Sequence, residues 1–211
     1  MAYSAIIKPT DYFNTKLYTG TDNSNAITGV GFQPDWVWLK NRSTGSNKLM
    51  DAVRGSNSSL CTNNNNAAEG AAYFSSFDSN GFTVDTSSSD VNADGQNYVG
   101  WNWKANGQGS SNTDGTINST YTSASTASGF SIVKYQGTGS NATVGHGLGA
   151  VPKMIIIKCL QQTHWWFTYH VNIGNTKHVT LNTTNAESGA SSAYWNNTTP
   201  TSSVFSIGTD T

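Results

Sequence analysis

Asp90-Val91-Asn92-Ala93-Asp94-Gly95 has the opening of a calcium loop, in which oxygens at alternate positions and a glycine wrap the chain around a cation. Such a loop closes with a bidentate glutamate at its twelfth position, which here is Trp101. The segment therefore reads first as an Asx-rich hairpin turn, with a calcium site of another geometry as the alternative. His164 and His170 share one face of an extended run but lie about 20 Å apart, too far for one metal. His146 sits in a glycine-rich turn and His178 is isolated. There is no Gly-x-Ser-x-Gly elbow and no cysteine in a protease-like setting. Gly29-Val30-Gly31 and Gly145–Gly149 lack the Lys-Ser/Thr that completes a phosphate loop. The 12 carboxylates include no framed pair, so glycoside hydrolysis has no support. The expectation is a protein that is not an enzyme and needs no cofactor or metal.

Aromatic residues are the remaining chemistry. Trp36, Trp38, Trp101 and Trp103 alternate along two strand-like runs and are expected to pack in a core. Trp165-Trp166 and Tyr194-Trp195 are adjacent pairs. Neighbours on a strand face opposite sides, so one of each pair is free to point outward. An outward ring beside asparagine-rich loops suits a sugar, whose apolar face stacks on the ring while its hydroxyls bond to amides. Trp165, Trp166, Tyr194 and Trp195 are thus the candidate binding residues.

The elements that hold these residues come in two copies. Leu17-Tyr18-x-Gly20, Ser24-Asn25-Ala26, Gly29-x-Gly31-Phe32, Pro34 and Val37–Lys40 are matched in order by a second set. That set is Lys134-Tyr135-x-Gly137, Ser140-Asn141-Ala142, Gly145-x-Gly147-Leu148, Pro152 and Ile155–Lys158. Leu60–Thr62 matches Leu181–Thr183, and Gly81–Val84 matches Val204–Ile207. A fixed internal repeat of this kind marks a duplicated domain. The first copy also has Tyr98–Trp103, an alternating strand with no counterpart in the second. Its lack leaves the second copy an open edge and an unfilled core. The expected remedies are a natural chain that continues past Thr211, which is favoured, or a strand from another chain.

No stretch keeps a helical period over ten residues. Strands are expected at Trp36–Lys40, Phe82–Val84, Tyr98–Trp103, Phe130–Tyr135, Met154–Lys158, Trp165–His170, Val179–Asn182 and Val204–Ile207. Asp51–Arg54 suits one helical turn with an i,i+3 ion pair. Short strands with turn residues between them predict an all-β chain of two tandem β-sandwich, jelly-roll-like domains, the second incomplete at its C-terminal end. The expected boundaries are 1–104 for the N-terminal segment with the first domain, 105–129 for a polar linker, and 130–211 for the second copy.

Composition narrows the role. Charged residues are only 11% of the chain, replaced by 27 serines, 27 threonines, 24 asparagines and 21 glycines. The aromatic share, 11%, supplies enough buried area for a core and argues against disorder. With a net charge of −1 and scattered basic residues, nucleic-acid binding is excluded. No apolar run approaches membrane-span length, and the N-terminus lacks the pattern of a signal peptide. Cys61 and Cys159 fall at non-equivalent places in the repeat, which excludes a repeated disulfide. Two free, mostly buried thiols are expected, with one inter-repeat bridge as the alternative.

Several separated motifs are familiar as a set. They are Met1-Ala2-Tyr3-Ser4, Lys8-Pro9, Tyr12–Thr15 and Leu17–Gly20, then Gly31–Asp35 with Val37–Lys40. Further along are Asn112–Gly115, Gly129–Val133, Gly145–Leu148 with Pro152, and Trp195-Asn196 with Pro200–Gly208. Together they resemble the repeat domain of tail-fibre-like virion structural proteins of marine bacteriophages, over nearly the whole chain. The resemblance implies a virion structural role in a tail fibre or similar appendage, and it supplies no catalytic or ligand residues. It also implies that the second copy normally ends in a Tyr-Val-x-Trp-like strand. The expected partners are other virion proteins, further copies of the chain and a host-surface glycan, with localisation on the virion. A lectin-like carbohydrate-binding module is the alternative, followed by a capsid decoration protein or an appendage depolymerase.

Overall fold

The computed structural model describes residues 8–70, 73–85 and 87–210. The opening Met1–Ser4 motif and the signal-peptide reading lie outside the described residues. The chain is all-β and divides into two compact units. The first holds the described residues up to Cys61 with Ala68–Gln108, and the second holds Thr62–Ala67 and everything from Gly109.

After a 3-10 turn at Pro9–Asp11, the described residues of the first unit form nine strands. These are β1 (Phe13–Thr19), β2 (Asn25–Thr28), β3 (Trp36–Asn41), β4 (Asn47–Asp51), β5 (Ser58–Cys61), β6 (Glu69–Gly70), β7 (Phe74–Asp78), β8 (Gly81–Val84) and β9 (Asn97–Trp103). One sheet has the order β1-β9-β3-β4-β5-β6 and the other β2-β8-β7. Every pairing is antiparallel. The sheets make a sandwich whose core joins Val37, Leu39 and Met50 to Ile27, Phe74, Phe82 and Val84. Phe74 and Phe82 stack at 5.5 Å between centroids.

Two turns hold the sandwich ends. Asp51 to Arg54 is a turn closed by a 2.6 Å ion pair between Arg54 Nε and Asp51 Oδ2, both side chains buried. The segment with the calcium-loop opening is a tie between loops. The Asn92 amide donates to Asn23 O at 2.6 Å, and its oxygen accepts from Thr21 N–H and from Asn25 Nδ2. Asp90 accepts from Ser46 N–H and lies 3.5 Å from Lys48 Nζ.

The second unit contains β10 (Tyr121–Ser125), β11 (Phe130–Lys134), β12 (Ala142–Gly145), β13 (Met154–Ile157), β14 (Phe167–His170), β15 (Val179–Thr180), the single-turn helix α1 (Ser192–Trp195) and β16 (Val204–Ile207). The pairings are β10-β11, β12-β16 and β13-β14-β15. Ile117, Val144, Phe205 and Ile207 form one core cluster, and Phe167, Tyr169 and Trp195 another, with Ile155 and Ile157 against both.

The stretch expected to be a linker is folded from Gly109 onward. Ser110 exchanges backbone hydrogen bonds with Thr122, and β10 forms a hairpin with β11. Its small polar side chains satisfy one another. Ser119 Oγ lies 2.8 Å from Thr122 Oγ1 and accepts from Asn112 N–H, so a hydroxyl-rich stretch is buried without an apolar signature. The two cysteines are not bridged; Cys61 is buried, whereas Cys159, expected to be mostly buried, is exposed.

Candidate functional site

Period-two alternation decides which residues of the first unit's larger sheet meet solvent. In β3, Val37, Leu39 and Asn41 are buried, while Trp36, Trp38 and Lys40 are half-buried on the other face. In β9, Tyr98, Gly100 and Asn102 are buried, while Val99, Trp101 and Trp103 face out. The expectation that these four tryptophans fill a core is thus corrected: they line the outer face. The inner positions are taken by aliphatic, small or hydrogen-bonded residues that fit against β8. Gly100 is one of them, because a Cβ there would stand 3.1 Å from Leu39 and 3.2 Å from Phe82.

Antiparallel register gathers the outward rings into rows. Trp103 on β9 is opposite Phe13 on β1 on one side and Trp36 on β3 on the other. Trp101 is likewise opposite Thr15 and Trp38. Phe13 and Trp103 lie 4.7 Å apart with tilted planes, and Trp38 meets Trp101 edge to face at 6.0 Å. Between them is an open depression of about 350 Å³ lined by Phe13, Trp38, Lys40, Asn47, Trp101 and Trp103. Lys40 Nζ is steered by the carbonyls of Gly45 at 3.2 Å and Thr44 at 3.5 Å, in the β3–β4 turn. The site therefore offers ring faces, one amide and one ammonium. That chemistry suits a flat ligand with an apolar side and polar edges.

Lys48 and Glu69, by contrast, serve the fold. Lys48 is buried and bonds Glu69 at 2.7 Å. Burial pulls its pKa down, but the Glu69 hydrogen bond and the nearby charges outweigh it, and the pKa stands above the ordinary lysine value. Among the described residues no group of three or more His, Cys, Asp or Glu side chains is placed to hold a metal ion.

The four residues singled out from sequence lie in the second unit. Trp165 is half exposed, just ahead of β14. Trp166 is buried, its indole Nε1 donating to Asn64 O at 3.0 Å. Tyr194 and Trp195 lie on α1, not on a strand. Ser191 caps that turn by accepting from Ala193 N–H, and Asn196 ends it in a left-handed conformation. Trp195 is buried with Nε1 bonded to Lys177 O at 2.9 Å, and Tyr194 packs on Phe167 and His178. The first pair does split into an outward and an inward ring, but the second is turned into the core by the helical turn. Only Trp165 presents an exposed ring.

Sequence reasoning passed over the rows of Phe13, Trp38, Trp101 and Trp103. A signal for part of them was present in the repeat. The inward Val37 and Leu39 are matched by aliphatic Ile155 and Ile157, whereas the outward Trp36 and Trp38 are matched by Met154 and Ile156. Rings found only on the outer positions of one copy are not required by a shared core.

A family model described as a domain of unknown function, DUF7483, covers residues 8–211. No curated protein and no solved structure matches the chain.

Proposed function

The chain belongs to the DUF7483 family, and we propose that it is a structural protein of a bacteriophage virion, from a tail fibre or similar appendage, that works by binding and assembly. In this reading the first unit's tryptophan-lined depression is its contact with host-surface glycan. The observation that carries the glycan contact is the juxtaposition of Trp38, Trp101, Trp103 and Phe13 around an open depression edged by Asn47 and Lys40. A pyranose stacks its apolar face on such rings, and its hydroxyls accept from the ammonium and exchange hydrogen bonds with the amide. A single contact of this kind is weak. An appendage carrying many copies turns weak contacts into firm attachment. The virion assignment rests on the resemblance of the repeat motifs and on the low-charge surface rich in serine, threonine and asparagine.

The test joins a glycan array with particle labelling. Intact protein is expected to retain a subset of bacterial surface glycans, and Trp38→Ala and Trp101→Ala are expected to release them while staying folded. Antibody to the chain is expected to decorate phage appendages in electron micrographs. Glycan retention by the tryptophan variants would remove the depression from the mechanism. Strong glycan binding without any particle labelling would favour a lectin-like module outside a virion.

A further inference from the structure

The repeat makes the first unit a template for the second. By sequence equivalence β11 stands for β1, β12 for β2, β13 for β3, β14 for β4, β15 for β5 and β16 for β8. In the first unit β9 lies between β1 and β3 and pairs with both. In the second unit no described strand pairs with β11 and β13 together. β11 pairs with β10 alone, and β13 with β14 alone.

Backbone direction shows that the corresponding edges of β11 and β13 are open. Thr120 N–H donates to Lys134 O at 2.7 Å, so Lys134, Ile132 and Phe130 turn their peptide groups toward β10. By alternation Ser131, Val133 and Tyr135 turn theirs the other way. Val171 N–H donates to Lys153 O at 2.9 Å, so Lys153, Ile155 and Ile157 face β14, and Met154, Ile156 and Lys158 face away. The backbones of these six outward-turned residues have no hydrogen-bond partner among the described residues. In the first unit the equivalent edges are the ones that bind β9. Lys104 donates to Tyr12 O, Gly20 to Gln96 O, and Arg42 to Asn97 O, which sets the same parity.

Burial gives an independent sign of a missing neighbour. Val37 and Leu39 are fully buried, but their equivalents Ile155 and Ile157 are only half-buried. Met154 is 51% exposed, and Cys159, the equivalent of the buried Asn41, is also exposed.

We infer that the second unit accepts one β-strand between β11 and β13, antiparallel to both, from a partner segment that carries the residue pattern of β9. The chain's own β9 is not the donor, because β1 and β3 hold both its edges. Transferring the register places a tyrosine-like residue beside Tyr135 and Cys159. A glycine-sized residue then falls between Val133 and Ile157, and large apolar residues lie beside Ile132 and Ile156 and beside Phe130 and Met154. The small residue is the selective position. Gly100 leaves room for Leu39 and Phe82, and their equivalents are Ile157 and Phe205. Main-chain bonds to two edges supply affinity, and the side-chain pattern supplies specificity. This inference is independent of the glycan reading.

The full chain is titrated with a synthetic peptide of the sequence Asn97–Lys104, followed by amide hydrogen exchange. The expected result is saturable binding with exchange slowed at Ser131, Val133, Tyr135, Met154, Ile156 and Lys158. A peptide carrying Gly100→Val is expected to bind at least about tenfold more weakly, since overpacking at a closed position is costly. The proposal fails if the peptide does not bind, if a scrambled peptide binds equally, or if protection falls elsewhere. It also fails if those amides are already protected in the chain alone through self-association, because a second copy then fills the place.

Discussion

Trp38 on β3 and Trp101 on β9 stand directly opposite one another, and their rings meet edge to face 6.0 Å apart on the outer face of the sheet. One step along, Leu39 and Gly100 are also opposite but turned inward, with Phe82 beside them. The two faces of one strand pair therefore differ, one carrying an outer aromatic row and the other the packed core.

Truncation on the two faces is expected to differ in size. Trp101→Ala removes a half-buried ring and one aromatic pair, a loss of about 1–2 kcal/mol. Phe82→Ala empties a fully buried site and costs about 3–5 kcal/mol. Urea unfolding of the two variants, with m-values held equal, checks the order. A larger loss for Trp101→Ala would show that the outer rings are structural after all.

The Asp51–Arg54 pair gives a second contrast. Both side chains are buried, and Arg54 also bonds Leu49 O and Ser58 O. Arg54→Met strands the Asp51 carboxylate and is expected to cost about 3–5 kcal/mol. The double variant Asp51→Asn with Arg54→Met is expected to recover part of that loss, because no charge remains stranded. A double-mutant cycle on denaturant midpoints measures the coupling.

What sequence made legible is local. The repeat equivalences are local residue matches, the strand at Asn97–Trp103 is a local alternation, those at Trp36–Asn41 and Val204–Ile207 are short apolar runs, and the Asp51–Arg54 pair is a local charge spacing. The face on which the tryptophans lie was not legible from hydrophobicity, because Val37 and Trp38 are both apolar. Only the position of β8 across the core separates them. The turn at Tyr194-Trp195 was missed because four residues are too few to show a helical period, and its cap at Ser191 is one ordinary serine among many. The folded stretch after Gly109 was missed because hydroxyl pairs such as Ser119 with Thr122 bury without an apolar signal.

Acid stability is expected to depend on His146 and His178. His146 Nδ1 accepts from Leu148 N–H at 3.1 Å, and its Nε2 lies 3.2 Å from Thr201 O, an arrangement that fits the neutral ring. Burial lowers its pKa more than the Thr201 carbonyl and Asp114 raise it, and burial likewise lowers His178 against the charge of Asp210. The folded state thus binds a proton less readily than the unfolded state does. The stability this contributes is complete above the unfolded value of about 6.5 and is lost as pH falls through the folded values. Hydrogen exchange in the second unit is expected to accelerate below about pH 6.5, and His146→Gln is expected to flatten that dependence. An unchanged pH profile in the variant would assign the acid sensitivity elsewhere.

Alkaline stability has a separate origin in each unit. Tyr18 donates to Val91 O at 2.6 Å and stacks on Tyr98 at 5.1 Å. Burial, then the charge of Tyr98, drives its phenol pKa well above the ordinary value, and burial does the same to Tyr135 in the second unit, with Cys159 adding to it. A phenol that ionises more readily when unfolded contributes stability that is complete below the unfolded pKa of about 10 and declines as pH rises beyond it. Tyr18→Phe deletes the hydrogen bond and is expected to cost about 1 kcal/mol at neutral pH. It also deletes the ionisation, so its stability declines less steeply above about pH 10 and the two curves converge. Tyr135→Phe is expected to produce the same convergence for amides of the second unit alone. Convergence in the wrong unit, or parallel curves, would show that these phenols do not set the alkaline limit.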